Sequence, residues 1–248
     1  MTRTAGYYLK ANPCCGTVYS TPRYGSINLS AWAYWTDGYK EGALMPDGHG
    51  LRRCKCGNFY LLRELVTISE SDTADAPRPV YVKPEDLPSA IASARNSEIE
   101  LAARLDYWQH LNHPYRDQYR AHRDTEEAAT QAAWETANPD QRTWWQRFRN
   151  AKRAPEYLPS PDRPVTYPSF DPSDEQRANM LSLLRLLGTG DYPQRYAFEI
   201  AELQRELGQF YEATQSLKAI NMEDAGFAGK LLAELIEGKE AAPVRYRL

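Results

Sequence analysis

The chain carries four cysteines in two tight pairs. Cys14 and Cys15 stand in Asn-Pro-Cys-Cys-Gly, and Cys54 and Cys56 stand in Cys-Lys-Cys-Gly. Thiolates are soft donors, and a structural zinc site asks for four thiolate or imidazole ligands in a tetrahedron. Each pair ends in glycine, which lets backbone N–H groups turn toward sulfur. Neither pair has the Cys-x-x-Cys spacing of thiol oxidoreductases, so a redox dithiol is disfavoured. Cys14, Cys15, Cys54 and Cys56 are the expected ligands of one zinc ion. Four protein ligands would leave no open position for water or substrate, so the metal is expected to fold the segment rather than catalyse.

The two turns resemble those of a zinc ribbon, in which the usual turn reads Cys-Pro-x-Cys-Gly. Pro13, Cys15 and Gly16 match that pattern, and Asn12 stands where the first cysteine is due. In the second turn Cys56 and Gly57 match, with Arg53 in the first position. Cys14 and Cys54 are offset from the ribbon positions. His49 is an alternative donor in place of Cys14, and a ribbon that has lost its metal and buries its thiols is the plain alternative.

The elements around the cysteines fit an α+β chain: a small β-rich N-terminal module followed by a mainly helical region. Tyr7-Tyr8-Leu9, Thr17-Val18-Tyr19, Phe59-Tyr60-Leu61-Leu62 and Leu65-Val66-Thr67-Ile68 are short aromatic or β-branched runs bounded by turn residues. Residues 1–70 form the module, and 71–95 a linker and helix start. Residues 96–153 read as a central helical segment, opened by a capping box of Ser97 and Glu100. Leu101, Leu105, Trp108 and Leu111 then recur at helical spacing. His113-Pro114 interrupts, a second helix starts near Asp124, Asn138-Pro139 stops it, and Trp144, Trp145 and Phe148 lie on a further short helical piece. Residues 154–172 hold six prolines and read as an extended connector. Ser173 with Gln176 opens a C-terminal helical bundle over 173–248.

Residues 196–220 resemble one tetratricopeptide (TPR) hairpin, with Ala201 and Ala213 at the helix crossing and Gly208 in the turn. Three stretches together resemble a poorly characterised group of bacterial proteins. They are Trp35-Thr36-Asp37-Gly38 with Met45-Pro46 and the Cys54–Gly57 turn; Leu105-Asp106-Tyr107-Trp108 with Asn112 and Tyr115-Arg116; and Asn179 through the hairpin at Glu202–Ala213. The resemblance implies a ribbon-like module ahead of TPR-like helices and brings no established activity with it.

Other constellations have plainer readings. Trp32, Tyr34, Trp35 and Tyr39 with Arg23, Arg52 and Arg53 could clamp single-stranded nucleic acid, but a small module short of aliphatic residues also uses aromatics as core. His110, His113 and His122 lie close in sequence, with Asp106, Asp117 and Asp124 nearby, but without the helical spacing of a hydrolytic metal site. Arg142, Arg147, Arg149, Lys152 and Arg153 accompany Trp144 and Trp145, and read as a solvated face or a surface for an acidic partner. With 30 basic against 33 acidic residues, the charge balance does not demand nucleic acid or an anionic membrane. No apolar run approaches the ~20 residues that span a bilayer. The N-terminus lacks the apolar stretch of a secretory signal, so a cytoplasmic location is expected, where thiolates on metal are favoured over disulfides. The sequence supports a non-enzymatic adaptor with a structural zinc ion and a protein partner. A nucleic-acid-associated protein using Arg52 and Arg53 is the alternative, and a metal-dependent hydrolase ranks last.

Overall fold

The computed structural model describes residues 3–27, 30–42, 45, 48–140, 142–145, 157, 166–189, 192–220 and 222–247. The strands among them are β1 (Arg3–Ala11), β2 (Val18–Ser26), β3 (Ala33–Trp35), β4 (Lys40–Glu41), β5 (Leu51–Arg53), β6 (Phe59–Leu61), β7 (Val66–Ser71), β8 (Val80–Tyr81) and β9 (Arg245–Tyr246). The helices are α1 (Leu87–Ala92), α2 (Ser97–Leu111), α3 (His113–Ala137), α4 (Asp174–Leu187), α5 (Tyr192–Arg195), α6 (Ala197–Glu206), α7 (Phe210–Lys218) and α8 (Met222–Glu237). The class is α+β, as expected.

The strands pair antiparallel in three small sheets, ordered β2-β1-β7, β4-β3-β9 and β6-β5-β8. The third sheet shows how register follows burial. Leu51 lies opposite Leu61 and Arg53 opposite Phe59, which directs Leu51, Phe59 and Leu61 onto α1 and α2. The segment expected to be a linker supplies β8 to this sheet, with Tyr81 opposite Arg52. The C-terminal residues do not stay with the helices. β9 pairs with β3, with Tyr246 opposite Tyr34, and the two rings stack 5.7 Å apart.

Two compact units result, Met1–Asn112 with Asp171–Leu248, and His113–Phe170. The first joins both ends of the chain, a division different from the serial one expected. The second is built on α3, a continuous helix from His113 where a fresh start near Asp124 was expected. Pro114 falls in its first turn, where a missing N–H costs nothing. Tyr115 meets Phe170 edge-on at 5.0 Å, and Tyr119 stacks on Tyr167 at 6.3 Å. Most of the expected connector, residues 154–156 and 158–165, lies outside the described residues, as do Arg147, Phe148, Arg149, Lys152 and Arg153.

Within the first unit, α2 is the central element. Asn96 caps it, its side chain accepting from the Ile99 N–H, one residue ahead of the expected Ser97. Leu101, Leu105 and Trp108 of the expected stripe pack against Met180, Leu183, Leu187 and Leu203, while Leu111, its last member, packs on the other cluster. Ile99, Ala102 and Ala103 bury a second face against the β5–β6 sheet. The Ser173–Gln176 capping box forms as expected and opens α4. Helices α6 and α7 make a hairpin with Ala201 and Ala213 fully buried at the crossing. Gly208, at φ +74°, turns the chain between them.

A polar cluster sits where α2, α4, α6, the turn after β3 and the C-terminal segment meet. Asp37, Glu202, Arg205 and Glu206 are each at most 1% exposed. Arg205 chelates Glu202 through Nε and Nη2 at 2.8 and 2.5 Å and donates to the carbonyls of Glu240 and Ala242. The Trp108 indole N–H donates to Glu206 at 2.8 Å. The Asn112 amide nitrogen donates to both Asp37 and Glu206, and its oxygen accepts from Gln176. Thr36 is bound to Arg205 through its hydroxyl and to Val244 through hydroxyl and backbone.

Three buried carboxylates face one guanidinium, so full ionisation would leave uncompensated charge in a low dielectric. Burial first, then the charges of Glu202 and Asp37, holds the Glu206 carboxyl well above its ordinary value of 4.5, and the Trp108 N–H and Arg205 do not offset this. The folded chain keeps a proton that the unfolded chain releases above about pH 4.5. Stability therefore falls as pH rises from there through the folded-state value. Denaturant midpoints measured across pH should decline on the alkaline side for the natural chain and flatten in Glu206→Gln. An identical slope in both would contradict a proton on Glu206.

Candidate metal centre

The first cysteine turn joins β1 to β2. Its backbone closes by Asn12 N–H to Thr17 O at 2.9 Å and Gly16 N–H to Asn12 O at 2.8 Å, with Cys15 N–H also on Asn12 O. Asn12 is fully buried, and its side-chain oxygen accepts from the Cys14 N–H at 3.0 Å. The second turn joins β5 to β6 and is tighter. Cys54 N–H donates to Asn58 O at 2.8 Å, and Gly57 N–H to Cys54 O at 3.0 Å. Gly57 takes φ +90° with open space around its Cα, so it is the backbone angle and not crowding that asks for glycine. The turn opens on Cys54 and not on Arg53.

The two turns bring Cys15, Cys54 and Cys56 together, all three sulfurs lying within 4.8 Å of one another. This is the one such group of His, Cys, Asp or Glu side chains among the described residues. Cys15 and Cys54 sulfurs are 3.2 Å apart. Cys14, expected as the fourth ligand, is not in the group; its sulfur accepts from Asn58 Nδ2 at 3.0 Å. His49 is held elsewhere, its Nδ1 and N–H both on Asp106 at 2.6 and 2.8 Å.

Cys54 is buried while Cys15 and Cys56 are exposed. Its floor is Tyr19, Tyr60 and Leu65, with the two rings stacked at 5.9 Å. Burial pushes the Cys54 thiol up, but hydrogen bonds from the Tyr19 hydroxyl, the Cys56 backbone and the Cys15 and Cys56 thiols together bring it down to about 6. The Asn58 N–H pulls Cys56 down, yet the hydrogen bond to Cys54, burial and Cys15 outweigh it and carry Cys56 up to about 11. Cys54 is thus the sulfur drawn toward the thiolate, and Cys56 is held toward the thiol. Such a set of thiols can hold a metal ion.

The other candidate residues have internal partners. Arg52 is buried, lies 3.8 Å from the Tyr81 ring centre and donates to its own neighbour's carbonyl, Leu51 O. Arg53 pairs with Asp86 at 2.9 Å. Of the aromatic cluster, Trp35 is buried with its N–H on Glu41, whereas Trp32 is exposed. His110 stacks on Tyr107, His113 lies 3.6 Å from Asp117, and His122 bonds to Thr166. Trp144 and Trp145 are exposed and touch edge-to-face at 4.4 Å. Tyr19 and Asn58 were missed from the sequence; the signal for Asn58 was its place directly after Cys-Lys-Cys-Gly. Among the described residues no helix is long and apolar enough to cross a membrane. No family model, curated protein or solved structure matches the chain.

Removing the Tyr19 hydroxyl should raise the Cys54 thiol. In metal-free protein, ultraviolet thiolate absorbance should show one thiol ionising near pH 6, and Tyr19→Phe should move that step upward. An unmoved step would assign the early ionisation to another sulfur.

Proposed function

We propose that Cys15, Cys54 and Cys56 hold a zinc ion that ties the β1–β2 and β5–β6 hairpins together, and that the protein is a non-enzymatic adaptor for another protein. The metal reading rests on the meeting of three sulfurs from two glycine-closed turns. A module of three short sheets has little aliphatic core of its own, and a metal cross-link supplies what burial does not. The adaptor reading is supported by the α6–α7 hairpin and by large apolar side chains left exposed on α7 and α8. Tyr211 on α7 is 74% exposed, and Phe227 on α8 is 54% exposed. The nucleic-acid alternative is weakened because Arg52 lies beneath Tyr81 and Arg53 is paired.

Protein expressed in a reducing compartment should carry one zinc per chain in native mass spectra. A chelator should remove it and lower Tm by about 10 °C or more, the shift that several kcal/mol produces in a chain of this size. Zinc-free protein with an unchanged Tm would end the metal reading. Tyr211→Ala should leave Tm unchanged and weaken capture of whatever partner the natural chain retains, and adding Phe227→Ala, whose ring also meets Tyr246, should abolish it. Salt-sensitive binding to single-stranded DNA or RNA would instead favour the nucleic-acid alternative.

A further inference from the structure

Resting on the zinc reading above, we propose that the metal keeps one coordination position open and takes a small exogenous thiol there. In the β5–β6 turn the first sulfur, that of Cys54, accepts the N–H of Cys56, two positions on. In the β1–β2 turn that place belongs to Asn12, whose carboxamide oxygen takes the Cys14 N–H at 3.0 Å while its backbone makes the closing hydrogen bonds of the turn. The β5–β6 turn supplies two sulfurs, Cys54 and Cys56, and the β1–β2 turn supplies Cys15. Three of the four positions of the site therefore carry sulfur, and an amide stands at the fourth.

Cys14 does not fill the gap. Zinc at about 2.3 Å from each sulfur sets tetrahedral sulfurs about 3.8 Å apart, a spacing that the Cys15, Cys54 and Cys56 group can adopt. The Cys14 sulfur lies outside that group, held by the Asn58 amide at 3.0 Å. Among the described residues the site has three protein ligands, the ligand count of an exchanging centre rather than a closed one.

The surroundings select the ligand. The sulfurs already present are served by O–H and N–H donors, with Thr17 Oγ1 3.1 Å from Cys15, the Tyr19 hydroxyl on Cys54 and Asn58 Nδ2 on Cys14. A soft, polarisable anion suits both the metal and these donors better than a carboxylate does. Cys15 and Cys56 are exposed, so a small thiol can reach the centre. On binding, the thiol would take the fourth position in place of any water held there, its S–H proton leaving to solvent as one metal–sulfur bond forms with no change of oxidation state.

The test uses the full chain loaded with cobalt(II) under a phosphine reductant, titrated with 2-mercaptoethanol. Sulfur-to-cobalt charge-transfer absorbance should rise by about a third and saturate, one sulfur joining three. Cys14→Ser should leave the starting spectrum unchanged. Asn12→Cys should show the higher absorbance before any thiol is added and no response to it. If Cys14→Ser still binds cobalt but loses about a quarter of the absorbance, or if the natural chain ignores the thiol, the centre is closed and the inference is overturned while the zinc reading stands. If the natural chain binds neither cobalt nor zinc, both fall together.

Discussion

The fold of the first unit depends on one buried guanidinium. Arg205 fills its hydrogen-bonding capacity from its own helix and from two distant segments: the carboxylate of Glu202 one turn back, the carbonyls of Glu240 and Ala242, and the hydroxyl of Thr36. A fully buried charge is tolerated only when it is paired and its donors are satisfied. The helical hairpin, the β3 turn and the C-terminal segment must therefore all be in place for any of them to be comfortable. Asn112 extends the same constraint to α2, because its amide nitrogen serves Asp37 and Glu206 together. Apolar packing of α2, α4 and α6 sets how closely these elements approach; the polar cluster decides that only one arrangement is acceptable.

The cysteine centre is organised on a different principle. It lies at the tips of two hairpins, where geometry comes from turn backbone rather than from core packing. Glycine at positive φ and a carbonyl facing an N–H across each turn set the sulfur positions. Only Cys54 reaches inward, onto the Tyr19 and Tyr60 rings. The module is thus held at one end by turn geometry and thiols, and at the other by a tail that returns from the C-terminus.

Much of this could be read from residue types, and the parts that could not have physical reasons. Turn chemistry is local, so the glycine-ended cysteine turns, the Ser173–Gln176 cap and the Gly208 turn were legible. Helical spacing exposed the Leu101, Leu105 and Trp108 stripe, but not the second buried face of α2. That face is built partly from Ala102 and Ala103, which carry little hydrophobic signal. Glu202, Arg205 and Glu206 stand at i, i+3 and i+4 and read as a solvated charged stripe, since nothing local announces the segments that cover them. Trp108 held a hint, because a buried indole N–H must find an acceptor. The pairing of β9 with β3 was out of reach, two short strands having almost no pattern of their own. Asn12 was noticed only as a missing cysteine, although a short amide can cap a turn's N–H much as sulfur does.

That tail sets an order of events during synthesis. The Thr36 hydroxyl accepts from the Val244 N–H, 208 residues downstream. At about 5–20 residues per second, Thr36 waits roughly 10–40 s for its partner to be made. Through that interval Ala33 and Trp35, buried in the finished fold, lack one of the two strands that flank β3, and Arg205 emerges late with its acceptor carbonyls still unmade. The β3–β4 pair is translated early yet its sheet is among the last parts to close, so a ribosome-bound chain presents one open sheet edge until β9 is made.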